Sequence, residues 1–432
     1  MKTNHIITIL AFIPMCINAQ TSQYLEEYRS KVKEYNQDIR SASLASQISN
    51  EKQKSAKADF LPSLSGNANF NHVGNPTELD LSIPSISEPL TFQGRDIQYG
   101  ASLTLAQPIY SGGAIKAGYD KAKKENELSL HEIKRITNNI TYDADVYYWN
   151  KVARQEMTEV AEEFKESVAV LADVVRHRVD EGYTDRNDLL MAEVKLNDAE
   201  YQVIQAKNNE EVARLSMNSF SGIPFSEIIP TDSIVIPLKE EPSYIGVVEE
   251  AMSSRPELHI ATGKIDIQKS SAQIANAQYL PKLYVGIDGS YSSPGYNFRK
   301  DLDPNYTVYA KLSVPIFEWG KRKNTRKAGN YAVDMAVENR NKVTDNVRLE
   351  VETAFYNYSQ AVLKVNLTEN SLSKAAESEK LAIDKYREGN ISIVEVINAQ
   401  IYHLEAKVNY IQSKLNAQIA KSGLERAKGG YR

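Results

Sequence analysis

Six histidines, at positions 5, 72, 131, 177, 259 and 403, and a single cysteine, Cys16, are the side chains best suited to hold a metal or attack a substrate. No HExxH pattern, which would set two imidazoles on one helix face, occurs among them, so no metal site is expected. Gly112-Gly113 lacks the GxxxxGK[ST] frame of a phosphate loop, and the serines and aspartates form no recognisable nucleophile motif. The pattern predicts no enzyme and no cofactor. A different kind of chemistry is offered by Asp188 and Glu395, each six residues beyond the glycine of a Glu-Gly pair, Glu181-Gly182 and Glu388-Gly389. Carboxylates so placed either favour the N-termini of the helices that follow or, gathered in a confined space, attract cations and raise one another's pKa.

The elements that would position these groups follow from composition and repetition. The chain has 432 residues, 51 basic and 56 acidic, for a formal charge of −5. That balance gives no pull toward nucleic acid, and no dense basic stripe with interleaved aromatics appears. Mean hydropathy is −0.45 and no apolar run approaches the roughly 18 to 20 residues of a membrane-crossing helix, so a membrane would have to be entered as a β-barrel. Gly and Pro are scarce, 20 and 15 residues, or about 8% against a usual 12%, so long uninterrupted helices are expected. Residues 1–19 read as a secretory signal, with Lys2, a short apolar segment from Ile6 to Ile13, and Ala19 at the expected cleavage point. Cys16 as a lipidated cysteine is the rival site; cleavage after Ala19 leaves a mature chain without a thiol.

Internal repetition organises the rest. Ala56 to Leu64 recurs as Ala275 to Leu283 at an offset of 219, with Phe60-Leu61-Pro62 answered by Tyr279-Leu280-Pro281. Gln107-Pro108-Ile109-Tyr110 pairs with Val314-Pro315-Ile316-Phe317 at an offset of 207, which also relates Glu181-Gly182 to Glu388-Gly389 and Ala192 to Ala399. The expected organisation is a first repeat at 20–222, a linker at 223–246 and a second repeat at 247–432. In each repeat, two segments alternate apolar and polar residues: Ser63 to Asn71, Ile97 to Gln107, Leu283 to Tyr291 and Tyr306 to Val314. Four strands of about ten residues with one apolar face fit a membrane barrel with a wet lumen, and equally a half-buried soluble sheet; their length and the leader favour the barrel. The 12-residue change of offset falls in the segment from His72 to Asp96, which contains Pro76, Pro84 and Pro89 and is expected to be an exposed loop outside the cell.

Nearly 70 residues without proline follow from Gly113 to Glu181 and from Gly320 to Glu388, about 100 Å of helix each. In the first, Ala153, Met157, Val160, Phe164, Val168, Leu171, Val175 and Val179 step close to an eleven-residue period, which predicts nearly straight packing. Shorter helices are expected over 24–58, 186–220, 244–278 and 393–428. Four strands cannot close a barrel, so the chain must oligomerise, and three copies supply twelve. Lys321, Arg322, Lys323, Arg326 and Lys327 after Trp319 read as a solvated helix start or as a contact for anionic lipid headgroups.

The duplicated Phe/Tyr-Leu-Pro before a strand, Pro-Ile-Tyr/Phe after one, Arg255-Pro256-Glu257-Leu258 and the two Glu-Gly turns, in this order and spacing, resemble the TolC-type outer-membrane efflux proteins over essentially the whole mature chain. The resemblance implies an α+β membrane protein. Four strands per chain would contribute to a trimeric twelve-stranded transmembrane barrel above a long-helix periplasmic α-barrel. It implies a homotrimer in the outer membrane of a Gram-negative bacterium, in contact with its lipids, acting as a passive exit duct for efflux or type I secretion. The implied partners are a periplasmic adaptor, docked at the turns of Gly182 and Gly389, and an inner-membrane pump. A structural or adhesion trimer without a conducting lumen is the alternative. The family's entrance latch of Tyr, Arg and Asp maps onto Tyr386, Glu395 and Asp188. Ile391 stands in the place of the Arg and Asn398 in that of a second carboxylate, with Arg387 and Arg186 near enough in sequence to substitute. Tyr386 is expected to hydrogen-bond toward Asp188 of the neighbouring hairpin. The cargo, the particular adaptor and the particular pump are not legible in these residues.

Overall fold

The structure is a computed structural model that describes residues 23–82, 84–85, 89–234, 244–295 and 301–431. The leader and Cys16 lie outside the described residues. Eight helices and six strands are described in the order α1 (Gln23–Tyr35), α2 (Gln37–Ala58), β1 (Ser63–His72), β2 (Glu78–Leu81), β3 (Leu90–Gln93), β4 (Ile97–Ser111), α3 (Ala114–Asp180), α4 (Arg186–Ser221), α5 (Tyr244–Ser254), α6 (Pro256–Ala277), β5 (Lys282–Ser293), β6 (Asp303–Ser313), α7 (Lys321–Arg387) and α8 (Ile393–Lys428). The two proline-free stretches are single helices of 67 residues each. No described helix is long and apolar enough to cross a membrane.

Two of the expected helices are broken, at equivalent places. Asn36 separates α1 from α2, and its Oδ1 accepts from the amides of Asp38 at 2.9 Å and Ile39 at 3.2 Å, the bonds of a helix N-cap. Arg255, 219 residues later, separates α5 from α6 because the ring of Pro256 disfavours helical backbone in the residue before it. The segment from His72 to Asp96 is not a bare loop either. β2 and β3 pair within it, Glu78 opposite Gln93 and Leu81 opposite Leu90.

The chain divides into two compact units that cut across the repeats. One, Ala42–Ile133 with Glu257–Val343, contains the sheet, an antiparallel set in the order β1-β4-β5-β6. The β4–β5 ladder, from Tyr99↔Ser293 to Ser111↔Lys282, joins strands of the two repeats. Along β4 the apolar residues Ile97, Tyr99, Ala101, Leu103 and Leu105 are the exposed set, and Gln98, Gly100, Ser102 and Thr104 are half-buried. A soluble sheet shows the reverse. β1 and β6 are the edges.

The other unit takes the chain up to Ser41, Lys134–Pro256, and the chain from Thr344 onward. Its core follows the seam predicted on α3: Ala153, Phe164, Val168, Leu171 and Val175 are buried, with Met157, Val160 and Val179 packed against them. At the α1 level, the fully buried Asp145 accepts two bonds of 2.6 Å from Arg29 and one of 2.6 Å from Ser422. The Tyr431 ring lies under the Arg29 guanidinium at 4.5 Å. The described part of the linker is pinned to α3, with the Tyr148 hydroxyl 2.6 Å from Asp232 and the Ile234 amide 2.8 Å from Glu156.

Candidate functional site

In the helical unit, α3 turns into α4 and α7 into α8 by the same device. Gly182 (φ 78°) and Gly389 (φ 81°) take the left-handed conformation that ends a helix without a Cβ clash. The amides of Gly182 and Tyr183 return to the carbonyls of Val179 and Arg178 at 3.0 and 2.8 Å; those of Gly389 and Asn390 return to Tyr386 and Lys385 at 3.0 and 2.9 Å. Next come the N-caps, Asp185, whose side chain accepts from the Asn187 amide, and Ser392.

Asp188 and Glu395 both lie in the first turn of the helix that follows. The exposed Glu395 accepts from the Ser392 amide at 3.3 Å and the Ser392 hydroxyl at 3.1 Å, and so holds its own helix start. Asp188 is half-buried and accepts from the Thr184 hydroxyl. Thr184 thus holds one oxygen of the carboxylate toward which Tyr386 is expected to hydrogen-bond. The Tyr386 side chain is buried, 4% exposed, and its hydroxyl lies toward Thr184 without making a hydrogen bond of good geometry among the described residues. Burial, and then the charge of Asp188, push the phenol above its ordinary pKa, against the opposing pulls of Arg178 and of the Thr184 hydroxyl.

Tyr386 is held by its ring. It packs in a cluster with Leu171, Ala172, Val175, Ala192, Ile393 and Val396. Ile391 packs against the same cluster, so the residue in the place of the family's Arg is an apolar contact here. The cation is instead Arg178, on α3. It donates to the carbonyls of Tyr386 at 2.7 Å and Arg387 at 3.2 Å, and its guanidinium carbon lies 5.0 Å from the Tyr386 ring centroid. Sequence reasoning missed Arg178 and Thr184. A basic residue in the last turn of a helix is a legible C-terminal signal, but the helix it reaches is not. Arg387 is exposed and pairs with Asp384 at 3.8 Å; Asn398 and Arg186 are exposed. Some three turns behind the tip, the Gln400 amide donates to Ser167 at 2.8 Å, Ser167 donates to Glu379 at 3.0 Å, and Glu379 also pairs with His403, tying α3, α7 and α8 together. Among the described residues no group of three metal-ligating side chains occurs.

A sheet whose apolar face is the exposed one, together with two antiparallel turns on 67-residue helices, defines an outer-membrane channel of the helical-duct class. The profile of the outer membrane efflux protein family matches residues 29–222 and 247–430, and the chain belongs to that family. It is an outer-membrane exit duct. The pyoverdine export outer membrane protein OpmQ of Pseudomonas putida is 20% identical over 345 residues, 77% of this chain and 70% of that one. The probable efflux pump outer membrane protein TtgC of the same species is 22% identical over 410 residues, 91% and 80% of the two chains. The solved outer-membrane channel OprN superposes with a TM-score of 0.80 at 16% identity, covering 95% of this chain and 91% of its own.

Proposed function

We propose that three copies of the chain pair β1 of one with β6 of the next. They would close a twelve-stranded barrel in the outer membrane and continue it as a tube of helices in the periplasm. One observation carries this reading: the exposed residues of β4 are its apolar ones. Lipid is the solvent that stabilises such a face, and an open edge in lipid leaves amides unpaired at several kcal/mol each by the usual magnitude. Two described edges, β1 and β6, on a four-stranded sheet require partners, and copies of the same sheet supply them.

The tube's inner mouth is formed by six turns, those of Gly182 and Gly389 from each chain. It is closed by packing of the Tyr386 cluster and carries a ring of Asp188 and Glu395 charge. A periplasmic adaptor docks at these turns and an inner-membrane pump delivers the cargo, as in tripartite efflux and secretion systems. The test is mass measurement of the detergent-extracted protein joined to single-channel conductance in a planar bilayer. A trimer that conducts is expected. A monodisperse monomer that keeps its β-structure, or a trimer that never conducts, overturns the reading.

A further inference from the structure

Lys321, Arg322, Lys323, Arg326 and Lys327 set five exposed cations in the first two turns of α7, and none makes a side-chain hydrogen bond or ion pair among the described residues. The placement runs against the helix dipole, whose N-terminal end favours anions, and no acidic residue occupies the first turn. Glu318, three residues before the helix, makes no ion pair with them among the described residues, and its buried Oε2 has no hydrogen-bond partner there. The fold does not demand the cluster. At the matching start of α3, offset by 207, stand Ala114, Ile115, Lys116, Tyr119 and Asp120, one cation and one acid.

The residues leading into the cluster break a second local rule. Trp319 adopts φ 46°, the left-handed region, where the first repeat has Gly112 at φ 66°. A bulky side chain in that conformation is strained, and its indole gains no compensating burial, being 89% exposed. Its neighbours are apolar and open as well: Ile316 is 95% exposed, and Phe317 meets the indole edge at 4.9 Å between centroids. Ile316 continues the apolar row of β6, Tyr306, Val308, Ala310 and Leu312, all exposed, whose period of two runs on beyond the strand through Val314. In chain order an apolar row gives way to an aromatic pair and then to unpaired cations. A bilayer has the same order from its hydrocarbon through its interface to its headgroups. The strain at Trp319 and the charge at the head of α7 are thereby given one compensation.

We propose that Ile316 to Lys327 is a binding surface for anionic phospholipid headgroups, with the Trp319 and Phe317 rings at the interfacial level and the five cations on lipid phosphates. This rests on the reading that the sheet lies in the bilayer, and it places the surface at the periplasmic leaflet, where the strands end. The occupant is lipid rather than the carboxylates of a protein because an exposed apolar row ending at Ile316 and the open Phe317–Trp319 pair stand between the sheet and the cluster.

The experiment is native mass spectrometry of the full-length protein released from nanodiscs of phosphatidylglycerol and phosphatidylcholine with matched acyl chains. Wild type is expected to retain phosphatidylglycerol preferentially, and added salt should erase that preference without changing phosphatidylcholine retention. Replacing all five cations by Gln should reduce phosphatidylglycerol retention by about tenfold or more, given the worth of a basic residue at an anionic surface. Trp319→Gly should weaken retention of both lipids while raising the Tm in detergent, since glycine relieves the left-handed backbone. Equal retention of the two lipids by wild type, or a salt-insensitive preference, overturns the proposal. Loss of oligomeric mass in the five-Gln variant with lipid retention intact would assign the cations to a second protein chain and overturn it too. Failure of the bilayer reading itself is seen separately, as wild type that enters nanodiscs of neither composition.

Discussion

The Arg178 guanidinium donates to the Tyr386 carbonyl at 2.7 Å and lies 5.0 Å from the centroid of the same residue's ring, so one cation on α3 both closes the end of α7 and holds its last aromatic. The last carbonyls of a helix have no partner within it, and a cation there also meets the negative end of the dipole. Arg178→Gln keeps a short donor but loses the charge and the ring contact. The expected result is a loss of about 1–3 kcal/mol, the usual worth of a charged hydrogen bond, and raised leak through the closed channel. Thermal melts and closed-state conductance check it; a variant unchanged in both would show that the tip is held by apolar packing alone.

Charge and capping can be separated at the two carboxylates. Glu395→Gln keeps an acceptor for the Ser392 amide and removes only the charge, whereas Glu395→Ala loses both and should cost about 1 kcal/mol of helix stability. The Asp188→Asn, Glu395→Gln double variant is therefore expected to lose cation selectivity and block by a trivalent cation with only a small fall in Tm, from the lost interaction of two carboxylates with their helix dipoles. Reversal potentials in asymmetric salt measure it. Retained selectivity would mean that these residues serve only their helix starts.

Tyr386→Phe removes a buried hydroxyl that lies toward Thr184 but makes no hydrogen bond of good geometry, so stability should change by less than about 1 kcal/mol and the closed-state leak should be unaltered. A marked increase in leak would show that the hydroxyl meets a group on a neighbouring copy of the chain.

Burial, then the charges of Tyr147 and Asp145, hold the Tyr28 phenol far above its ordinary pKa; burial and then Asp145 do the same for Tyr431. Below pH about 10 these tyrosines are protonated in the folded and unfolded chains alike, and their contribution to stability is complete. As pH rises past 10 the unfolded chain releases protons that the folded chain keeps, so stability falls. The Tm is expected to decline from that point, and less steeply in Tyr28→Phe, Tyr431→Phe. Melts followed by circular dichroism across the alkaline range decide it; equal slopes would place the alkaline transition elsewhere.

An epitope inserted near Leu81, at the end of β2, is expected to stain on intact cells. Among the described residues the β2–β3 hairpin makes no strand pairing with the four-stranded sheet, so the insertion should leave the sheet and the extracted oligomer intact. Staining only after the envelope is broken would invert the topology.

The sequence by itself determined what is periodic or local. The alternation from Ile97 to Leu105 foretold a strand with one apolar face, and the proline-free stretches marked α3 and α7 to within a residue of Gly113 and Gly320. The glycines at 182 and 389 marked the turns, because a left-handed backbone without a Cβ is a property of one position. Tertiary structure decided what depends on distant segments meeting. Arg178 reaches Tyr386 across 208 residues, and the Thr184 hydroxyl donates to the Asp188 carboxylate. Arg29 finds Asp145 across 116 residues. A side chain's type fixes which partners it can satisfy, whereas the packing of helices far apart in the chain fixes which of those partners comes within reach.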